Sequence, residues 1–384
     1  MKIGFIRYPQ NLYSSGLVIR GGSEIANQYV IDYLRSKNIE VVEFEPQNQK
    51  RVDLISIPAL GTPLMFQDLL SRIDEINSCD VIFTTNWFGA IIPEITKPII
   101  AIFHHNAQLV LKFSDGEIVK NNKIFKKWQN KLRSFSLWQE TKQTLHDQII
   151  SIGENYLANN SAKNVIVSKF LEDSLVHDYS VDRQKNKIIF NSFPIDWVCD
   201  DFEKKYDGEL RVTCLTRLPV DFAGAIVKGL DSLFEFFSKE TSFNKTLIAS
   251  TKKDVYKKIT DQYSDKFDYI ENADRKSVQK ELAKANISLH FSRCESFGLS
   301  IVESMLMKNV PIVYETGIVK EFIVDGVNGF IVTNEKEMLK IIDKLDKDRN
   351  LLKKVSEAAY SSVIKSMSPE VVGQQYLNAI KEVI

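Results

Sequence analysis

Short, continuous apolar runs separated by segments of helical period recur along almost the whole chain. Ile3–Ile6, Val41–Phe44, Val81–Phe83, Ile99–Phe103 and Val165–Val167 read as strands with little polar alternation. Strands of that kind are covered on both faces, as in a parallel sheet. A helix is expected from about Ser23, with apolar Ile25, Tyr29, Tyr33 and Leu34 at helical spacing. Ile188–Phe190 is followed by an irregular stretch, Asn191 to Gly208, that holds Pro194, Asp200-Asp201 and a charged Glu203-Lys-Lys. The rhythm then resumes with Leu210–Leu215, Thr246–Ala249, Ile287–Phe291, Pro311–Tyr314 and Gly329–Val332. Two such sets joined by a polar linker predict an α/β protein of two Rossmann-like, doubly wound domains facing each other across a cleft. The expected division is 1–192, 193–368 and a terminal helix, 369–384. That helix starts after Ser368 as N-cap, with Pro369 at its first position.

One segment breaks the rhythm. Residues 112–142 carry eight basic residues, among them Lys126, Lys127 and Lys131, against three acidic ones. Ile124, Phe125, Trp128, Leu132, Phe135 and Trp138 recur within it at helical spacing. An aromatic stripe with a cationic flank allows two readings: a helix packed on its own domain, or an interfacial helix on an anionic membrane or a lipid acceptor.

Length and composition narrow the class. A chain of 384 residues suffices for two cores, and 50 basic residues balance 50 acidic ones, so no global field favours nucleic acid. Cys79, Cys199, Cys214 and Cys294 are scattered without a C-x-x-C pair, which indicates neither a zinc site nor a disulfide framework. Without a signal-like start or an apolar run of about 18 residues, a cytoplasmic protein is expected.

The most informative stretch is Ser292-Arg-Cys-Glu295-Ser296-Phe297-Gly298-Leu299-Ser-Ile-Val-Glu303. It leaves an expected buried strand through a glycine turn into an apolar-periodic helix, which places free backbone N–H groups where an anion can bind. Two carboxylates bracket that turn. Phosphate on the amides with carboxylates beside it suits a ligand that carries both phosphate and hydroxyls.

With Asn309-Val-Pro-Ile-Val, Gly317, Glu321 and Asp325-Gly-Val-Asn-Gly329-Phe-Ile-Val, this block resembles the retaining glycosyltransferases of GT-B architecture, the group 1, family-four-like enzymes. The resemblance implies that the amides of Ser296, Phe297, Gly298 and Leu299 hold the diphosphate and donor sugar, that Glu295 contacts sugar hydroxyls and that Glu303 accepts from the ribose. It extends to Gly21-Gly22, matching a loop close to the donor phosphates, and to His104, which ends a strand and lines the cleft beside the transferring sugar; His105 is its neighbour. It also implies that Arg217 and Lys228 neutralise the leaving diphosphate. Here they stand eleven residues apart, with Pro219–Ala225 inserted between them, whereas the family spacing is nearer six. Lys228-Gly229 is read as opening a helix. No strand ends in an Asp-x-Asp pair, so no metal and no cofactor beyond the nucleoside-diphosphate-sugar donor are expected. The expected activity is retaining, metal-independent hexosyl transfer to a saccharide or lipid-linked acceptor, in bacterial envelope or capsule polysaccharide synthesis. On the membrane reading of 112–142, the enzyme is peripheral at the inner face. The rival readings are a GT-B epimerase or phosphorylase and a non-catalytic saccharide-binding partner subunit.

Overall fold

A computed structural model describes residues 1–7, 22–46, 66–85, 92–108, 137–198, 203–219, 222–251 and 256–384. Gly21 and most of the basic aromatic segment, 112–136, lie outside them. The chain divides into two compact units. The first comprises Met1–Lys112, Thr141–Ser192 and Met367–Ile384, and Phe193–Ser366 form the body of the second.

In the first unit, strands β1 (Lys2–Ile6), β2 (Glu40–Phe44), β3 (Val81–Thr85), β4 (Ile99–Phe103), β5 (Lys163–Ile166) and β6 (Asn186–Ile188) form one sheet in the order β2-β1-β3-β4-β5-β6. Every pairing is parallel. All five positions of β3 and of β4 are buried, as strands covered by helices on both faces require. Phe5 and Phe83 stack in the core, with ring centroids 5.6 Å apart. The C-terminal helix, Pro369–Lys381, belongs to this unit and buries Val372, Tyr376, Ala379 and Ile380 in the same core as Phe5 and Leu34. At its start the Tyr33 hydroxyl donates to Glu370 (3.1 Å), which also pairs with Lys37.

The second unit repeats the plan. Strands β7 (Arg211–Arg217), β8 (Asn244–Ser250), β9 (Asp268–Glu271), β10 (Ile287–His290), β11 (Val310–Tyr314) and β12 (Phe330–Val332) form a parallel sheet in the order β12-β11-β10-β7-β8-β9. Its core is rich in aromatics. Phe237 meets Phe267 edge-on at 5.4 Å, and Phe291 meets Tyr314 edge-on at 5.7 Å, geometries that suit the ring quadrupoles.

Several local expectations need correction. β9 was not expected, because it is an edge strand whose four residues are exposed or half-buried, so no apolar run marks it. The helix Gly22–Ser36 buries Ala26, Asn27, Val30, Ile31, Tyr33 and Leu34, whereas Ile25 and Tyr29 stay only half-buried. Its core face is therefore rotated from the one read. The strand expected at Ile188–Phe190 sits two residues earlier, where Asn186 pairs with Asn164. Ser368 does cap the last helix in position, but its side chain makes no cap hydrogen bond.

Candidate functional site

The strand order of the second sheet reverses at β7 and β10. Loops leaving the C-terminal ends of these two strands diverge to opposite faces, and parallel α/β sheets bind ligands in the crevice this opens. From the end of β10 the chain turns to Gly298, the N-cap of the helix Leu299–Leu306, at φ 83° and ψ 57°. A Cβ there would also lie 2.9 Å from the Ile301 side chain, so the turn needs glycine. Ile301 N–H turns back onto Gly298 O (2.9 Å), and the amides ahead of it carry the positive end of the helix dipole.

On the other side of the crevice, β7 ends in exposed Arg217. The inserted residues fold in part into the short helix Phe222–Val227, and Lys228 and Gly229 then lead into the helix Leu230–Phe237. Lys228 therefore does not sit in the first turn of a helix. It follows the carbonyl end of the shorter one, its N–H donating to Gly224 O (2.9 Å), and a cation is favourable there even without a ligand. Gly229 is left-handed (φ 61°), and a Cβ on it would come 2.0 Å from the Phe291 carbonyl oxygen. The Lys228 loop thus rides directly on the end of β10.

This contact brings two of the expected residues together. Lys228 Nζ lies 2.6 Å from Glu295 Oε2, and both side chains are about one-fifth exposed (22% and 21%). An ammonium and a carboxylate in contact at a half-buried site form a pair that either an anion or a hydroxyl-bearing ligand can enter. Arg293 locks the two loops. Its backbone N–H donates to Val227 O (2.7 Å), and its guanidinium forms a bidentate pair with Asp231 (2.7 and 2.7 Å), whose carboxylate is fully buried. The sequence offered no signal for this pair, because its partners stand 62 residues apart.

The electrostatics fix several protonation states. Burial, helped by the Lys228 cation, lowers His290 to about 3 and keeps it neutral. Burial, then the Glu295 charge, raises the Cys294 thiol to about 12, so no thiolate nucleophile forms in the turn near neutral pH. Phe297 is buried in the fold and offers the site only its backbone, whereas Ser296 and Leu299 are half-buried. Glu303 lies one turn along the helix, its side chain 12% exposed. Burial raises its pKa while Arg275, 3.2 Å away, opposes the shift. Arg275 itself lies over the Trp197 ring, 4.8 Å from its centroid. It too was missed, being one cation in a polar helix, Arg275–Lys284.

Other parts of the sequence block are structural. Asp325 Oδ1 accepts from Ile331 N (2.8 Å), and the Asn328 amide spans Val324 N (2.7 Å) and Phe322 O (2.8 Å), which folds the turn before β12.

Gly22 and His104 belong to the first unit. Gly22 is the exposed first residue of its helix. His104 follows β4, and its Nε2 faces Asn27 Oδ1 at 2.8 Å. Nδ1 is enclosed, without a hydrogen-bond partner among the described residues. Burial, then the neighbouring His105, lowers its pKa to about 3, so the ring is neutral. No group of three or more His, Cys, Asp or Glu among the described residues is placed to hold a metal ion. No helix among them is long and apolar enough to cross a membrane.

Two doubly wound parallel sheets, with a glycine turn and a cation at the switch point of the second, define the GT-B architecture. Residues 224–362, within the second unit, match the family described as Glycosyl transferases group 1. An uncharacterized glycosyltransferase of Methanocaldococcus jannaschii is 28% identical over 210 residues, which cover 53% of this chain and 54% of that protein. The match therefore spans about half the length of this curated relative. Among solved structures, Anabaena HepE in complex with UDP and glucose superposes with a TM-score of 0.68 at 16% identity, covering 99% of both chains. Sucrose-phosphate synthase from Thermosynechococcus elongatus gives 0.73 at 12% identity, covering 99% of this chain and 98% of that one. At such identities the likeness is one of fold.

Proposed function

We propose that the protein transfers a hexosyl group from a nucleoside-diphosphate-sugar to a saccharide or lipid-linked acceptor, without a metal ion and with retention of anomeric configuration. One observation carries the proposal: Lys228 and Glu295 meet at 2.6 Å beside the Gly298 helix N-terminus, within the residues that match the group 1 glycosyltransferases. When the donor enters, its diphosphate takes the place of the Glu295 carboxylate beside Lys228, and Glu295 turns to the sugar hydroxyls. As the glycosidic C–O bond breaks, the leaving diphosphate gains negative charge. Lys228, Arg217 and the helix amides are the positive groups we assign to its stabilisation. The acceptor hydroxyl forms the new C–O bond on the same face, and its proton passes to the departing phosphate oxygen. Glu303 and Arg275 hold the ribose end. That HepE was solved with UDP and glucose supports a nucleoside diphosphate hexose as donor. The acceptor belongs to the first unit, where Gly22 and His104 lie, and envelope polysaccharide synthesis is the process we assign to it.

The test is turnover with a panel of UDP-, GDP- and ADP-hexoses, with the anomeric configuration of the product read by NMR. Consumption of one donor, a product retaining its configuration, and a loss of at least a hundredfold in Glu295→Ala and Lys228→Ala are expected. An inverted product refutes retention. A wild type that binds saccharide and consumes no donor refutes the enzyme altogether.

A further inference from the structure

The concavity beside the Gly298 turn has two chemically different sides. It takes in about 240 Å³, part of it open to solvent, between the turn and the loop that follows β11. One side is aliphatic: Ile301, Val313 and Val319 line it, and all three are buried. The other side is made of hydroxyls. Ser292, Ser300 and Thr316 are half-buried, and their side chains make no hydrogen bond to another described residue. Glu295, the carboxylate paired with Lys228, also lines the space.

This composition limits what the concavity can take. Glu295 is the one charged group in its lining, because burial, then the Lys228 cation, keeps His290 neutral. An anionic group would meet the Glu295 carboxylate with no cation lining the space, so the occupant is neutral. Three neutral substituents occur on donor sugars. A hydroxyl leaves the aliphatic side bare, and a deoxy-sugar methyl leaves the hydroxyls without a partner. An acetamido group uses both sides. Its methyl lies against Ile301, Val313 and Val319, its carbonyl accepts from the hydroxyls, and its N–H donates to one of them.

We propose that this concavity selects the donor, and that the sugar transferred carries an acetamido group, as an N-acetylhexosamine does. The proposal rests on the glycosyltransferase reading above, which sets the sugar hydroxyls at Glu295. Since Glu295 belongs to the same lining, a neighbouring ring substituent enters the space. The acetamido group forms and breaks no bond, so the balance of the transfer is unchanged.

The experiment compares donors that differ only in that group. Consumption of UDP-glucose and UDP-galactose is measured against that of their 2-acetamido counterparts, and the ratio of kcat/KM, acetamido over plain, is taken. The wild type is expected to favour the acetamido donor at least tenfold. Thr316→Phe, which puts a ring into the space from a half-buried position, is expected to lower the ratio at least tenfold. Thr316→Val keeps the shape, loses the hydroxyl and is expected to lower the ratio at least threefold. Thermal midpoints are recorded for both variants. A wild type that prefers plain hexoses, whether linked to UDP, GDP or ADP, overturns the proposal. An unchanged ratio in the Thr316 variants also overturns it, even where both donors lose activity equally. A wild type that consumes no nucleotide sugar of either kind overturns the reading beneath it, an outcome visible before any variant is made.

Discussion

Lys204 shows how an amine can be buried against helix carbonyls, and burial holds its pKa well below the usual lysine range. Its amino group, 6% exposed as a residue, donates to the carbonyls of Met307 (2.9 Å), Ala283 (3.2 Å) and Leu282 (3.3 Å) and to Asn309 Oδ1 (2.8 Å). Those carbonyls close the helices Arg275–Lys284 and Leu299–Leu306, so one side chain satisfies two C-terminal ends and meets the negative end of both dipoles. Lys245 does the same for the helix Leu230–Phe237 through Phe237 O (2.8 Å), and burial lowers its pKa to about 8. Lys204→Met keeps the length and removes the donor that the Met307 and Ala283 carbonyls share, whereas Leu282 O keeps Ala285 N–H and the Asn309 amide. A loss of about 2–3 kcal/mol is expected in urea unfolding of the second unit; an unchanged midpoint would show that the carbonyls find other partners. Arg293→Lys keeps the charge and loses the fork onto Asp231, and about 2 kcal/mol of stability should go with it, together with donor turnover, because the same contact holds the Lys228 loop on the turn. Turnover that survives an equal loss of stability would separate the two roles.

At the scale of elements, the strands were the most legible part of the chain, because a strand covered on both faces has to be continuously apolar; β4 is Ile99–Phe103 both as read and as built. The edge strand β9 escaped because nothing covers it enough to demand such a run. The glycine turn was legible for a similar reason, since left-handed Gly298 and the apolar helix behind it are local requirements. The partners that complete the site were not. Arg293–Asp231 and Arg275–Glu303 join residues 62 and 28 positions apart, and a single sequence holds no record of such contacts. The terminal helix makes an element-scale prediction. Tyr376 is 1% exposed and lies 6.1 Å from the Phe83 ring, so Tyr376→Ala opens a cavity in the first unit and should cost about 3–5 kcal/mol. Calorimetry should show this loss confined to the transition of the first unit; a shift in both transitions would mean that the units unfold together.

Each unit also holds one histidine that stays neutral, half-buried His104 in the first and buried His290 in the second. Both are lowered from 6.5 to about 3 chiefly by burial. On acidification the unfolded chain takes up these protons first, so stability is fully present above about pH 6.5 and declines as the pH falls toward 3. The slope is about 1.4 kcal/mol per pH unit for each histidine. Between pH 6.5 and 5, before most carboxylates titrate, His290→Gln should flatten the fall in the thermal midpoint of the second unit while leaving that of the first as steep as in the wild type. An equally steep fall in both would contradict a neutral, buried His290. For the whole molecule, the proposed donor site is the turn from Glu295 to Glu303, with Lys228 held against it. A native-state ligand raises the unfolding midpoint in proportion to its occupancy. The most direct measurement is therefore the midpoint of the second unit with and without UDP, GDP and ADP in the wild type and in Lys228→Ala. A clear rise with at least one nucleotide in the wild type, much reduced in the variant, is the predicted result. No rise with any nucleotide, or an equal rise in Lys228→Ala, would contradict the claim.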